Sequence, residues 1–143
     1  MPTIKAFRMD GLGNKFIIVD RRKDIVNITK EKIIHLGNLE SFHREIGFDQ
    51  IIFIEREIDK AFPITIFNSD GGEVSACGNG SRCVAYLLGK DLNTKEVKLK
   101  TNNRLLNAKI VGDLDVEFAM GKPIFEWNKI PLSKNLDHSN ITL

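Results

Sequence analysis

Apolar and polar residues alternate from Ile4 to Met9, the period of a half-buried strand, and the run stops at Asp10-Gly11-Leu12-Gly13-Asn14. A short apolar stretch from Phe16 to Asp20 predicts a second strand across that turn. Thr29 then stands as an N-cap before a helix predicted over Lys30 to Glu45. Ile33, Leu36, Leu39, Phe42 and Ile46 recur there every three or four residues, with Gly37 as its weak point. Two more strands follow, Ile51 to Glu55 and Pro63 to Asn68, before the turn Asp70-Gly71-Gly72. A compact helix is predicted from Asn79 to Leu88, with Gly89 just past its end. The alternating runs Glu96–Thr101, Leu105–Val111 and Leu114–Ala119 read as a three-stranded meander, turning at Asn102-Asn103 and Gly112-Asp113. At least six strands and two helices, mostly antiparallel, make an α+β domain. After Met120-Gly121-Lys122-Pro123 the periodicity ends, and residues 124–143 carry no regular pattern.

Composition narrows the function classes. A chain of 143 residues is the length of one domain. Lys plus Arg total 21 against 19 Asp plus Glu, for a net charge of +2. That balance carries no electrostatic footprint for nucleic acid. The longest apolar runs, Phe16–Val19 and Ile51–Ile54, fall far short of the roughly 20 residues of a membrane helix. The N-terminus lacks the layout of a signal peptide, and the two cysteines, Cys77 and Cys83, make no disulfide framework. The expectation is a soluble protein of a reducing compartment, the cytoplasm.

The most unusual stretch runs from Phe67 to Cys83, where a glycine-rich junction joins a strand to a helix. The first turn of a helix leaves backbone N–H groups unpaired and carries partial positive charge. Gly78, Asn79 and Gly80 therefore make a candidate cradle for a carboxylate or phosphate, and Cys77 stands where such a field acts on a thiol. The same residues also suit a plain tight turn, with Cys77 as one more small apolar residue. Cys83 has the plainer reading. It lies six residues on, about 9 Å along the axis, so both thiols cannot face one small ligand. With Val84, Ala85, Leu87 and Leu88 around it, Cys83 is predicted to be core. Rival motifs are weak: Gly78-x-Gly80 lacks the third glycine of a dinucleotide fingerprint, and no Walker loop is present. No metal site is expected, because the cysteines diverge, His35 and His43 sit two turns apart on the predicted helix, and His138 lies in the irregular tail. Arg82, Lys98 and Lys100 read as solvated surface or local anion partners.

Four segments, in order, resemble the diaminopimelate epimerase family, the PLP-independent amino-acid epimerases of bacterial lysine and peptidoglycan-precursor synthesis. They are Gly11-Leu12-Gly13-Asn14, Gly47-Phe48-Asp49-Gln50, Phe67 to Val74, and Cys77-Gly78-Asn79-Gly80-Ser81-Arg82-Cys83, with Met120-Gly121-Lys122-Pro123 as a further match. The resemblance covers nearly all of residues 4–123. It departs from the family's pattern at Asn102-Asn103, where glycine is usual, and at Ser69, in place of a common alanine. It implies a curved, mostly antiparallel sheet around a central helix, one of two pseudo-symmetric domains. Residues 1–121 would form the N-terminal domain, and 122–143 a truncated crossover toward a second domain absent from this sequence.

The resemblance also implies roles. Cys77 would be one of two catalytic cysteines, exchanging a proton with the substrate α-carbon. Gly78 and Asn79 would hold the substrate carboxylate through backbone N–H groups, while Asn14, Gln50 and Asn68 would bind substrate through their side chains. No cofactor and no metal are implied. Inverting a carbon centre takes a group on each face, and the only other cysteine, Cys83, is not the partner. The chain is thus expected to interconvert LL- and meso-diaminopimelate only with a complementary C-terminal domain or chain. The surface that meets that domain is expected to be exposed, favouring dimerisation or low solubility. Two alternatives stand beside this reading: a non-catalytic remnant or interaction module that keeps the fold, and a proline racemase-like relative. The joint presence of Gly11–Asn14 and Gly47–Gln50 argues against the latter.

Overall fold

The computed structural model describes residues 4–41, 44–45, 47–102, 104–130 and 132–135. Ten strands occur among them: β1 (Ala6–Gly11), β2 (Asn14–Asp20), β3 (Glu40–Ser41), β4 (Arg44–Glu45), β5 (Gln50–Ile54), β6 (Phe62–Asn68), β7 (Glu73–Val74), β8 (Glu96–Lys100), β9 (Leu105–Gly112) and β10 (Asp115–Ala119). Two α-helices, α1 (Lys30–Gly37) and α2 (Gly78–Leu92), and a 3₁₀ turn at Trp127–Lys129 complete the list. Eight strands form one sheet in the order β1-β2-β5-β6-β8-β9-β10, with β7 also on β6, while β3 and β4 form a separate two-stranded ribbon. The pairs β2–β5 and β6–β8 are parallel and the remaining pairs antiparallel.

The sheet curls around α2, which touches β1, β2, β5, β8, β9 and β10. Strand alternation sorts the core into two layers. Phe16, Ile18, Ile52, Ile54, Ile64 and Ile66 face α2 and pack with Val84, Leu88, Leu99 and Leu106. On the other face Val19, Ile51, Phe53 and Phe48 pack with Ile33 of α1. Burial of β5 on both faces accounts for its unbroken apolar run.

Three sequence expectations change. Helix α1 begins where Thr29 predicts, the Thr29 hydroxyl accepting the Lys32 N–H at 3.3 Å. It ends at Gly37 rather than Glu45, with Asn38 as its C-cap, at a Gly-Asn pair of low helix propensity. Gly37 itself lies hard against the turn after β6. A Cβ there would stand 3.0 Å from Ser69 Cβ and 3.1 Å from Ser69 O. Beyond Gly37 the described residues Glu40–Ser41 and Arg44–Glu45 form the β3–β4 ribbon, while Phe42, His43 and Ile46 of the predicted helix lie outside the described residues. Helix α2 starts at Gly78 and runs past Gly89 to Leu92, capped by left-handed Asn93 (φ 51°). Gly89 is a packing glycine, since a Cβ would stand 2.0 Å from Ile110 Cδ1 and 2.9 Å from Thr94 O. Residues 127–129 form a 3₁₀ turn inside the segment predicted to be irregular. The predicted turn at 102–103 falls partly outside the described residues, although Thr101 N–H does bond Arg104 O at 2.9 Å across it.

An ion-pair network fastens the far end of the sheet to α2. The Arg22 guanidinium donates to both Asp20 oxygens, at 2.9 and 2.7 Å, and to Asp91 Oδ2 at 2.7 Å. Its hydrogen bonds hold the Asp20 carboxyl below the usual carboxylate range. A carboxyl with a lowered folded-state pKa stabilises the fold above its unfolded-state value, and that stability is lost as pH falls through the folded value. Asp20→Asn is therefore expected to cost about 1 kcal/mol at neutral pH, the scale of a partly exposed pair. In urea titrations the gap from wild type should close progressively below the ordinary carboxyl value of 3.8. A gap that stayed constant into acid would rule out Asp20 as its source.

Candidate active site

Every residue singled out for substrate chemistry lies at one end of the sheet. Asn14 opens β2, Gln50 opens β5, Asn68 closes β6, and Cys77 stands directly before α2. Phe16 is registered opposite Gln50 and Gln50 opposite Asn68. Because side chains alternate, Asn14, Gln50 and Asn68 continue the rows Phe16/Ile18, Ile52/Ile54 and Ile64/Ile66, so all three carboxamides fall on the face that carries α2.

The turn before Asn14 is shaped by its glycines. Gly11 and Asn14 are paired across a two-residue loop in which Leu12 (φ 48°) and Gly13 (φ 88°) are both left-handed, the conformation that matches strand twist in a tight hairpin. Gly11 admits close packing instead. A Cβ there would stand 3.1 Å from Cys83 Sγ and 3.3 Å from Asn79 O, so the hairpin rests directly on α2.

Cys77 is the N-cap of α2, with extended backbone, and its Sγ accepts the Gly80 N–H at 3.4 Å. Gly80 stays a glycine because a Cβ would stand 2.5 Å from Ile52 Cδ1 and 3.1 Å from Phe16 Cε1. The Ser81 N–H bonds Cys77 O at 2.9 Å, which leaves the N–H groups of Gly78 and Asn79 with no acceptor within the helix. No acidic residue occupies the first turn to neutralise them. Met120 packs beside this helix start, its Cε 3.8 Å from the Cβ position of Gly78, and the Arg104 guanidinium holds Met120 O at 3.1 Å.

The carboxamides form two pairs. Asn79 Nδ2 donates to Asn14 Oδ1 at 2.9 Å, and Gln50 Nε2 donates to Asn68 Oδ1 at 2.9 Å. Gln50 Oε1 is buried with no hydrogen-bond partner among the described residues, an acceptor available to a ligand or water. Asp49, given no role in the sequence reading, and Arg82, read there as solvated surface or a local anion partner, both join the Asn14–Asn79 pair. Asp49 Oδ2 accepts from Lys15 N–H at 2.8 Å and from Asn14 Nδ2 at 3.4 Å, and the Arg82 guanidinium donates to Asn79 Oδ1. Their signal in the sequence was position alone, next to Gln50 and one helical turn after Asn79.

The two thiols differ as expected from their spacing. Cys83 is 7% exposed on the core-facing side of α2, and burial pushes its thiol up in pKa, keeping it neutral. Cys77 is half-buried at the helix start. Iodoacetamide should therefore alkylate Cys77 more than about tenfold faster than Cys83 in the folded chain, read by peptide mass spectrometry. Equal rates would contradict the burial of Cys83.

The curled sheet around one central helix is a fold class found among solved structures. A phenazine-biosynthesis PhzC/PhzF protein from Clostridium difficile superposes with a TM-score of 0.57 at 17% identity, over 77% of this chain and 41% of that one. A Pseudomonas aeruginosa protein described as a predicted epimerase gives 0.54 at 18% identity, over 77% and 40%. Sequence narrows the class. The profile of the family described as diaminopimelate epimerase matches residues 6–126. The diaminopimelate epimerase of Pelagibacter ubique is 45% identical over 140 residues, 98% of this chain and 50% of the relative. That of Acidiphilium cryptum is 38% identical over 136 residues, 95% of this chain and 48% of the relative. The chain belongs to the diaminopimelate epimerase family, and it spans about half the length of the curated relatives it matches.

Proposed function

We propose that residues 1–121 form one half of a diaminopimelate epimerase site, with Cys77 as one of its two acid–base groups. The observation that carries this reading is the start of α2, where the Cys77 thiol and the open N–H groups of Gly78 and Asn79 converge within a family-matched segment. A substrate carboxylate held by those N–H groups brings its α-carbon beside Sγ. Proton removal from that carbon needs a positioned base and stabilisation of the charge that develops next to the carboxylate, and the helix start supplies the latter. Asn14, Gln50 and Asn68 line the same end of the sheet and offer carboxamides to the polar groups of the substrate. One group, as thiolate, takes the α-proton from one face while the opposing acid delivers its own proton to the other, with no cofactor in the step.

Inversion requires a second group on the opposite face of the carbon. In this reading it belongs to the other half of the site, which the relatives' greater length accommodates. Residues 122–143 are read as the crossover toward that half, and exposed Met120, Ile124 and Phe125 supply apolar surface for contact with it. Left uncovered, this surface favours self-association of the isolated chain. Among the described residues no helix is long and apolar enough to cross a membrane, which suits a small-molecule enzyme of the cytoplasm. The test is α-carbon deuterium incorporation into diaminopimelate in D₂O, by the chain alone and by a chimera joining it to the remaining half of the Pelagibacter ubique relative. The chimera is expected to exchange and epimerise and the chain alone is not. An inactive chimera that folds would favour a non-catalytic module.

A further inference from the structure

A carboxamide can present either its oxygen or its nitrogen to a ligand, and the two choices recognise opposite chemistry. At this site the choice is forced from both ends. Arg82 only donates, so Asn79 must offer it Oδ1. Asn79 Nδ2 is thereby turned toward Asn14, which accepts through Oδ1 at 2.9 Å. Asn14 is left to donate through Nδ2 at 3.4 Å to Asp49, which as a carboxylate only accepts. A flipped Asn14 would set N–H groups against the Asn79 NH₂ and an oxygen against a carboxylate.

We propose that Asp49 and Arg82 are positioning residues, the charged ends of a relay Arg82–Asn79–Asn14–Asp49 that fixes which atoms of the two carboxamides face the ligand. Asp49 is well placed for this. Its N–H donates to Lys15 O at 2.9 Å, its Oδ2 accepts the Lys15 N–H at 2.8 Å, and its carbonyl accepts the Ser69 N–H at 3.1 Å. One residue therefore ties the start of β2 to the turn after β6, immediately beside Gln50. A guanidinium can only donate and a carboxylate can only accept, so the polarity of the whole chain is set by its termini. Each carboxamide keeps a remaining N–H and oxygen lone pair, in a fixed pattern, for an amino-acid ligand.

What the two carboxamides bind rests on the epimerase reading, whereas the relay is measured without substrate, so the two fail separately. The probe is the side-chain NH₂ resonances of Asn14 and Asn79 in ¹H–¹⁵N spectra of the full chain. Asp49→Ala is expected to shift the Asn79 resonances as well as those of Asn14, and Arg82→Met to shift Asn14 as well as Asn79. Asp49→Asn, which retains an acceptor oxygen, is expected to stay nearer wild type and serves where Asp49→Ala does not fold. A purely local role for either residue moves only its immediate neighbour. Unmoved Asn79 resonances in folded Asp49→Ala, or unmoved Asn14 resonances in folded Arg82→Met, would overturn the relay.

Discussion

In the chimera carrying the relative's second half, Cys77→Ala is expected to lower α-proton exchange by a factor of about 10²–10⁴, the usual contribution of a positioned acid–base group. The size of the effect follows from the difficulty of the step. An amino-acid α-proton is very weakly acidic, and no other ionisable side chain caps α2. Cys83→Ala is the control. Cys83 is buried on the core-facing side of α2 with its thiol held neutral, so its loss should cost some packing and leave exchange essentially unchanged. Equal losses in both variants would mean that Cys77 acts through structure.

The second large effect falls on stability. Phe16 is fully buried, and its ring lies between the β1–β2 hairpin and the first turn of α2, with Cε2 and Cε1 at 3.2 and 3.1 Å from the Cβ positions of Gly11 and Gly80. Phe16→Ala should lower the unfolding free energy by about 3–5 kcal/mol. The matching fall in Tm is roughly 10–15 °C for a domain of this size. The cavity would open directly under Gly80, whose N–H holds the Cys77 thiol, so the site should loosen along with the core. A loss under about 1.5 kcal/mol, the range of a tolerated apolar swap, would show that the neighbours collapse into the space.

Much of this arrangement is legible in the residues themselves. Period-two alternation alone puts Asn14 on the row of Phe16 and Ile18, and Asn68 on the row of Ile64 and Ile66. The start of α2 is readable to within one residue, because Cys77-Gly78-Asn79 changes from extended to helical character where the apolar period begins. Where the reading departs, tertiary contact decided the outcome. Gly89 resembles a helix terminator, yet glycine is required there by packing, since a Cβ would stand 2.9 Å from the backbone oxygen of Thr94 and against Ile110. Gly37 must be glycine because the Ser69 turn packs against it, and α1 ends there with Asn38 as C-cap although the local apolar period points to a longer helix. The parallel pairings β2–β5 and β6–β8 join segments far apart in the chain and leave no local signature. Asp49 is similar: its role depends on Lys15 and Ser69 arriving beside it, which only the assembled sheet provides.

The central claim is that this chain supplies one face of a two-faced proton transfer. Its most direct measurement is deuterium incorporation at the α-carbon of diaminopimelate in D₂O, followed by ¹H NMR together with the ratio of LL to meso isomers. The account predicts exchange and isomer interconversion in the chimera, strong loss of both in its Cys77→Ala variant, and neither in the chain alone. Full interconversion by residues 1–143 without a second half would contradict it.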